Sequence, residues 1–298
     1  MLRGTSVIDP FGTGEFSPSM WSRRFSHQDQ VIQHHVRHAE RGETTFSCGV
    51  GNPLILCERS QGQKLVFYRA NINSPILVFI HGGYWQELSR EQSRYPAGPL
   101  YSGGIKTIVV GYDLCPQVTL FDIVKQIQKA AKFVFEYAAE QNSRGVYFAG
   151  HSAGAHLIAS ILSEAPFLDT IPNINILQGA ILVSGIYDLT SITDTSINKN
   201  LQLTQQDAKL LSPHFGSYYH LKDYKFRLYI LAGQDDSFTF QKQSRDFYDM
   251  LQECCNVNNI NFEVKEGMDH FEIMETITEE ENYFKAIILE DIFKYLNR

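Results

Sequence analysis

The sequence predicts an α/β fold with a mostly parallel central sheet, helices on both faces and a small helical cap. Short apolar runs rich in Val, Ile, Phe and Tyr recur along the chain, and they alternate with longer segments of helical periodicity. Continuous apolar runs are typical of strands covered on both faces, and strands that alternate with helices favour parallel pairing. The predicted strands are 65–70, 76–80, 107–112, 146–150, 180–185, 227–233 and 261–265.

Helices are predicted between most of these strands. The longest, 119–140, carries its apolar residues on one stripe at the helical spacing. It opens with Thr119, and Asp122 three positions later completes a pattern that resembles a capping box. A last helix is predicted to begin at Thr278, because the glutamates that follow suit the positive end of a helix dipole. The other predicted helices are 21–41, 155–162 and 239–255.

The organisation of the chain indicates one domain over residues 1–298. Hydrophobic residues make up 43% and charged residues 20% of the sequence, which is sufficient for a sizeable core. Residues 1–18 are rich in Gly, Pro and Ser and are expected to form an irregular leader. Residues 190–219 interrupt the alternation of strands and helices. An insertion there is expected to cover the carboxyl edge of the strands, where ligands bind.

Charge and composition exclude several classes of partner. A net charge of −7 argues against nucleic-acid binding, which usually requires a basic surface. No run of about 18 apolar residues is present, so we predict no transmembrane helix and no membrane partner. The five cysteines are an odd number without regular spacing, and no apolar signal segment precedes them. These features favour a cytoplasmic protein.

Two features outside the main motifs are interpreted as structural. His34 and His38 are four residues apart, a spacing that two metal ligands on one helix can use. The carboxylate of the zinc-protease pattern H-E-x-x-H is missing between them, so we predict no metal site. Asp269 is expected to lie at the surface or at the start of a helix.

The segment 146–156 reads VYFAGHSAGAH and contains the pattern G-x-S-x-G between a predicted strand and a predicted helix. In a turn this tight, side chains two positions before and after the serine would collide, which explains Gly150 and Gly154. The turn lifts the hydroxyl of Ser152 above the sheet, and the N–H of Ala153 begins a helix that points at the same place. We therefore predict a serine nucleophile on the elbow of an α/β-hydrolase fold.

A serine nucleophile requires a histidine base and a carboxylate that orients the histidine. In this fold the acid and then the histidine follow the serine along the chain. His270 is the histidine that lies beyond the next suitable acid. The acid is expected after the predicted strand 227–233, where Asp236 is favoured over Asp235. Asp188, after the preceding strand, is a third candidate.

The motif H-G-G-Y-W follows another predicted strand and is expected to stabilise the oxyanion formed in acyl transfer. In this fold the loop at that position supplies N–H donors in addition to the one after the nucleophile. We predict that the donors are the N–H groups of Gly83, Tyr84 and Ala153. Gly82 is expected to shape the turn, and His81 is expected to brace the loop.

Several of these motifs together resemble the kynurenine formamidase (arylformamidase) family. The match covers most of residues 15–275, and its segments are EFSPSMW, HGGYW, GHSAGAHL, SGIYDL and the stretch from LTQQDA to LSP. The resemblance implies an α/β-hydrolase fold without a cofactor and is compatible with a homodimer. It also implies that Ser152, Asp236 and His270 form the triad.

The resemblance implies a reaction as well. Members of the family hydrolyse N-formyl-L-kynurenine to L-kynurenine and formate in tryptophan breakdown, so this small molecule is the expected partner. The expected mechanism is attack of Ser152 on the formyl carbon and passage through a formyl-enzyme. Tyr84, Trp85 and Tyr187 are expected to cover the aryl ring, with packing in the core or at its rim as the alternative for each.

Two other functions and one local ambiguity stay open at this level. The alternatives are a small-acyl carboxylesterase of the hormone-sensitive-lipase type and a hydrolase-fold binding protein without catalytic activity. The acid segment of the family is expected to read D-S-P-E-F, whereas this chain reads DSFTF from Asp236 onward. Because the proline and the glutamate are replaced, the choice between Asp235 and Asp236 stays open.

Overall fold

The structure of the chain is a computed structural model that describes residues 14–47, 54–56, 64–68, 72–225, 227–255 and 259–276, with 283, 286, 287, 289 and 290. The predicted start of a last helix at Thr278 lies outside these residues, as do the first thirteen positions of the predicted leader.

Eight strands form one sheet in the described part of the chain. They are β1 Leu54–Leu56, β2 Lys64–Tyr68, β3 Ile76–Ile80, β4 Lys106–Gly111, β5 Val146–His151, β6 Leu177–Val183, β7 Arg227–Gly233 and β8 Ile260–Lys265. Their order across the sheet is β1-β2-β4-β3-β5-β6-β7-β8. β2 pairs antiparallel with both β1 and β4, and the remaining pairs are parallel. The predicted mostly parallel sheet is confirmed. Of the eight strands, only β1 was not predicted, because three residues are too few to show an alternation of apolar and polar positions.

The helices largely follow the predictions. They are α1 Gln28–Ser47, α2 Ala97–Ser102, α3 Leu120–Glu140, α4 Ala153–Leu162, α5 Ala165–Leu168, α6 Asn198–Leu201, α7 Gln205–Leu211, α8 Phe238–Cys255 and α9 Glu272–Glu275. The capping box before α3 is confirmed, because the side chains of Thr119 and Asp122 each accept from the backbone N–H of the other residue. The helix predicted from residue 21 begins only at Gln28, because the preceding residues form turns that contact the site described below.

Both faces of the sheet are covered by helices, as predicted. Along β3, Ile76, Val78 and Ile80 belong to one buried cluster, which also contains residues of α3, α4 and α8. The alternate residues Leu77 and Phe79 belong to a second cluster, which contains residues of α2 and α9. Burial on both faces explains why this strand is a continuous apolar run.

The segment between β6 and β7 forms short helical turns that include α6 and α7. It contacts the H-G-G-Y-W loop through Gln86, whose side-chain amide donates to the carbonyl of Ile197 at 2.9 Å. Asn200 in turn donates to the side-chain oxygen of Gln86 at 2.8 Å. In the described part of the chain, no helix is both long enough and apolar enough to cross a membrane.

Candidate active site

Ser152 occupies a tight turn between β5 and α4. Its φ of 54° lies in the left-handed region, which is unfavourable for a residue with a side chain and is typical of strained functional turns. A Cβ at Gly150 would lie 2.5 Å from backbone atoms of Gly154, and a Cβ at Gly154 would lie 2.0 Å from the carbonyl oxygen of Ile80. Both glycines are therefore required by close backbone contacts, and the strand–turn–helix context of the motif is present.

His270 and Asp236 form a buried pair at the carboxyl edge of the sheet. The Nδ1 atom of His270 lies 2.8 Å from Oδ2 of Asp236, and the two residues are 2% and 1% exposed. Asp236 lies in the loop after β7, and His270 lies in the loop after β8. Because adjacent parallel strands end at the same edge of the sheet, their loops meet although 34 residues separate the two side chains.

The two other candidate acids have different partners. Asp235 lies 3.2 Å from the guanidinium of Arg23. Asp188 accepts hydrogen bonds from the N–H and the hydroxyl of Thr190, at 2.9 and 2.6 Å. Of the three aspartates considered, Asp236 is thus the one that the described structure places against His270.

The elbow and the histidine loop are joined by His151 rather than by Ser152. The Nε2 atom of His151 donates to the carbonyl oxygen of His270 at 2.7 Å, and the two rings are 4.7 Å apart. Burial, with the neighbouring His270 and His35, lowers the pKa of His151 well below its ordinary value, so its ring is neutral. The hydroxyl of Ser152 makes no hydrogen bond with His270 in the described structure; catalytic contacts of this kind often tighten only when substrate binds. Sequence reasoning did not assign this role to His151.

The H-G-G-Y-W loop brings its backbone against the serine. A Cβ at Gly82 would lie 3.1 Å from the Cβ of Ser152, so a larger residue would crowd the nucleophile. Gly83, Tyr84 and Trp85 all have positive φ values, of 98°, 48° and 60°. Three consecutive residues in this region define an unusual backbone path, which the surrounding structure must stabilise.

The N–H groups predicted as oxyanion donors have no acceptor among the described residues. Neither the backbone contacts nor the side-chain contacts of Gly83, Tyr84 and Ala153 include a hydrogen bond donated by their N–H groups. The carbonyl of Gly83 is engaged instead, and accepts from the N–H groups of Gln86 and Glu87 at 2.9 Å. The three N–H groups are thus available to a ligand oxygen.

Tyr112 supports this loop, which sequence reasoning did not anticipate. Its hydroxyl donates to the carbonyl oxygens of His81 and Gly82, at 3.0 and 3.1 Å. Its ring stacks on the ring of His81 with a centroid distance of 4.3 Å. Burial lowers the pKa of His81 to about 4, so this histidine is neutral, and its Nδ1–H donates to the carbonyl of Gly82 at 2.8 Å. These contacts fit a bracing function for His81.

The aromatic residues expected to cover an aryl ring differ in their placement. Trp85 is fully buried and packs its ring edge-on against His156, with centroids 4.8 Å apart. Tyr187 is also fully buried, and its ring stacks on Phe247 at 4.2 Å. Both belong to the core of the described structure, which is the packing alternative named above. Tyr84 is only partly buried.

The expectation of a surface position for Asp269 is wrong. The residue is 1% exposed, because Arg24 and Ser22 from the N-terminal segment cover its carboxylate. Its second expected role is confirmed, since its carboxylate accepts from the N–H groups of Phe271 and Glu272 at the start of α9. The sequence carried no local signal of the partnership with Arg24.

The described residues include no group of three His, Cys, Asp or Glu side chains arranged to hold a metal ion. His34 and His38 stack at 6.4 Å in α1. His34 lies 3.6 Å from Glu275, with which it can form an ion pair when protonated. The histidine-rich stretch therefore packs along a helix face.

Comparisons with known proteins place the chain in a family. A family model described as BD-FAE matches residues 68–251. Kynurenine formamidase of Salmo salar is 34% identical over 283 residues, which cover 93% of this chain and 94% of that protein. The protein of the same name from Drosophila melanogaster is 33% identical over 273 residues, which cover 88% of this chain and 90% of the relative.

Solved structures agree on the fold. An esterase from Pyrobaculum calidifontis superposes with a TM-score of 0.68 at 15% identity, covering 91% of this chain and 97% of the other. The esterase LipW from Mycobacterium marinum gives a TM-score of 0.66 at 16% identity, covering 90% and 91%. At such identities the similarity concerns the fold alone.

The strand order, the elbow at Ser152 and the superposed esterases define the α/β-hydrolase fold, and the relatives named kynurenine formamidase show that the chain is a hydrolase of this class. The two relatives named kynurenine formamidase, which match nearly the whole chain, identify the family within this class. The chain belongs to the kynurenine formamidase family.

Proposed function

We propose that this chain is an arylformamidase that hydrolyses N-formyl-L-kynurenine to L-kynurenine and formate. The observation that carries the proposal is the similarity to relatives named kynurenine formamidase over nearly the whole chain. The buried pair of His270 and Asp236 beside the Ser152 elbow supports it, because hydrolysis of an amide requires an activated nucleophile.

In the proposed mechanism, His270 accepts the proton of the Ser152 hydroxyl while the oxygen attacks the formyl carbon. Asp236 keeps the Nδ1 proton of His270 in place and stabilises the imidazolium that forms. The imidazolium then protonates the aryl nitrogen, the C–N bond breaks, and L-kynurenine leaves. Water, deprotonated by His270, attacks the remaining formyl ester, and formate is released as the serine recovers its proton.

The oxyanion of each tetrahedral intermediate is proposed to bind the N–H groups of Gly83, Tyr84 and Ala153. The absence of protein acceptors for these groups within the described structure supports this assignment. A single donor of this kind contributes about 3–4 kcal/mol to transition-state stabilisation in comparable sites. The contact between Gly82 and Ser152 leaves little room on that side of the nucleophile, which suits the smallest acyl group.

The insertion between β6 and β7 is proposed to cover the site. Its hydrogen bonds with Gln86 join it to the loop that is proposed to bind the oxyanion. A cover of this kind excludes water and strengthens the electrostatic interactions beneath it.

The serine mechanism is tested by replacing Ser152 with alanine and measuring formate release from N-formyl-L-kynurenine. Loss of the nucleophile is expected to lower kcat by about 10⁴-fold or more. Ser160→Ala is the matched control, because Ser160 lies on the same helix α4 and its hydroxyl donates to the carbonyl of His156. Equal formate release by wild type and Ser152→Ala would refute the proposed nucleophile.

The choice of acyl group is tested on the wild-type protein with formyl, acetyl and butyryl substrates. We expect the formyl derivative to have the highest kcat/KM. Rapid hydrolysis of acetyl and butyryl aryl esters, with none of the formamide, would instead identify a small-acyl carboxylesterase. Failure of a fluorophosphonate probe to label Ser152 would favour a binding protein without catalytic activity.

A further inference from the structure

Residues 14–24, which we call the N-terminal strap, lie against three loops of the proposed active site. The strap precedes the whole sheet in the chain and carries none of the residues proposed for catalysis. Its contact with the H-G-G-Y-W loop is made by Tyr84, whose hydroxyl donates to the carbonyl of Phe16 at 2.8 Å. Phe16 itself is 9% exposed and belongs to the main core cluster.

The strap also binds the loop that carries Asp236. The hydroxyl of Ser237, the next residue, donates to the carbonyl of Glu15 at 2.7 Å. The side chain of Glu15 accepts from the N–H of Thr239 at 2.8 Å, at the beginning of α8. A carboxylate is favourable at this end of a helix, so the strap stabilises both the acid loop and the helix that follows it.

The strap binds the loop that carries His270 through an ion pair. Arg24 binds both carboxylate oxygens of Asp269, with Nε to Oδ2 at 2.6 Å and Nη2 to Oδ1 at 3.0 Å. Ser22 adds a hydrogen bond to Oδ2 at 2.5 Å. The carboxylate also accepts the N–H groups of Phe271 and Glu272. Asp269 therefore holds the backbone immediately after His270 while Arg24 holds Asp269.

Arg24 links this loop to α9 as well. Its Nη1 atom donates to Glu275 at 2.5 Å, and Glu275 accepts from Nδ1 of His35 in α1 at 3.1 Å. Burial alone would raise the pKa of Asp269, but the hydrogen bonds from Arg24 and Ser22 hold that pKa below its ordinary value. Two buried carboxylates thus share one guanidinium, and loss of the charged partner of a buried carboxylate is strongly unfavourable.

We propose that Arg24 is a positioning residue for His270, and that the strap joins the oxyanion, acid and base loops into one unit. The inference rests on the proposed role of His270 as the base. A bidentate guanidinium defines the orientation of Asp269, which a single ammonium cannot reproduce. Loss of Arg24 is therefore expected to displace His270 relative to Ser152.

The test compares Arg24→Gln, Arg24→Lys and a matched control, Arg144→Gln, in the full chain. The guanidinium of Arg144 donates to the carbonyl of Asn73 at 3.0 Å, near the amino ends of β3 and β5 and away from the site. Two readouts are taken below the melting temperature of each protein. They are the rate of Ser152 labelling by a fluorophosphonate probe and the kcat and KM for N-formyl-L-kynurenine.

For Arg24→Gln we expect labelling and kcat to fall by about 10- to 100-fold, since misplacement by about 1 Å has effects of this size. The KM is expected to change by less than about threefold, because Arg24 contacts loop residues rather than substrate. Arg24→Lys is expected to recover part of the rate, and Arg144→Gln is expected to match wild type. A purely structural role would lower the melting temperature without lowering the labelling rate of the folded protein.

The outcomes separate the two proposals. If wild type labels and folded Arg24→Gln labels at the same rate, the positioning role is refuted even where formamide hydrolysis is observed. If wild type labels but leaves the formamide intact, the proposed substrate is refuted, and the labelling comparison still decides the role of Arg24. Should Arg24→Gln fail to fold, Ser22→Ala is the milder variant, because it removes one hydrogen bond to Asp269 and one accepted from the N–H of Arg24 and keeps the guanidinium. That variant is expected to label about two- to fivefold more slowly, and an unchanged rate would refute the proposal.

Discussion

At the scale of single residues, Asp235 and Asp236 are neighbours in the chain with different partners. Asp236 is 1% exposed and lies 2.8 Å from His270. Asp235 is itself 12% exposed but faces Arg23, whose side chain is 82% exposed. An exposed ion pair contributes little to stability, whereas a buried carboxylate beside an imidazole determines the tautomer of the ring.

This contrast predicts unequal effects of two adjacent substitutions. Asp236→Asn is expected to lower kcat by about 10⁴-fold, because the wrong tautomer of His270 is then stabilised. Asp235→Asn is expected to change kcat by less than about fivefold, since it loses only an ion pair with the largely exposed side chain of Arg23. Both are measured by formate release, with circular dichroism as the check on folding. A larger loss for Asp235→Asn than for Asp236→Asn would show that the acid has been assigned to the wrong residue.

At the scale of elements, the H-G-G-Y-W loop depends on a residue from the neighbouring strand region. Tyr112 follows β4 directly and binds the carbonyls of His81 and Gly82. The loop contains three consecutive positive φ values, so its path requires external support. The proposed oxyanion donors thus depend on a side chain 28 positions beyond Tyr84.

Tyr112→Phe is expected to lower kcat by about tenfold, because a loop displaced by a fraction of an ångström binds the oxyanion less well. Tyr218→Phe is the matched control, since its buried hydroxyl donates to the carbonyl of Ala159 at 3.0 Å. Each variant is expected to lose about 1–3 kcal/mol of stability, measured by urea unfolding. Equal kcat values for the two variants would argue against a role for Tyr112 in the loop.

At the scale of the whole molecule, several histidines are buried in neutral form around the site. Burial lowers the pKa of His81 and of His156 from 6.5 to about 4. Between pH 6.5 and pH 4 the unfolded chain therefore binds more protons than the folded chain. The contribution of these two histidines to the free energy of unfolding is complete above pH 6.5. It is lost as the pH falls towards 4, by about 1.4 kcal/mol per pH unit for each histidine.

The variant His156→Gln tests this dependence. Glutamine can still donate to the carbonyl of Leu211, which accepts from Nε2 of His156 at 2.8 Å, but it does not titrate. The free energy of unfolding is measured in urea between pH 6.5 and 4. Its slope against pH should be smaller for His156→Gln than for wild type, by about 1.4 kcal/mol per pH unit. Above pH 7 the free energies of unfolding of wild type and His156→Gln should have the same pH dependence. An unchanged slope at acid pH would show that His156 is protonated in the folded protein.

Most of the sheet could be predicted because strand burial leaves a local pattern. The continuous apolar runs of β3 and β5 and the stripe of α3 each reflect the surfaces that cover them. The start of α1 could not be predicted, because Ser22, Arg23 and Arg24 before it bind aspartates more than 200 positions further along the chain. The single domain and the homodimer stay predictions.

The sequence by itself determined the elements whose causes are local. Gly150 and Gly83 are required by backbone contacts four residues further along the chain, with Gly154 and Glu87, so the glycine patterns predicted both features. Only the tertiary structure decided which aspartate meets His270 and which residue supports the loop around it. Arg24 and Asp269 are 245 positions apart, and neither residue type indicates the other. Such partnerships arise when separate segments are brought to one edge of the sheet, and no local pattern records them.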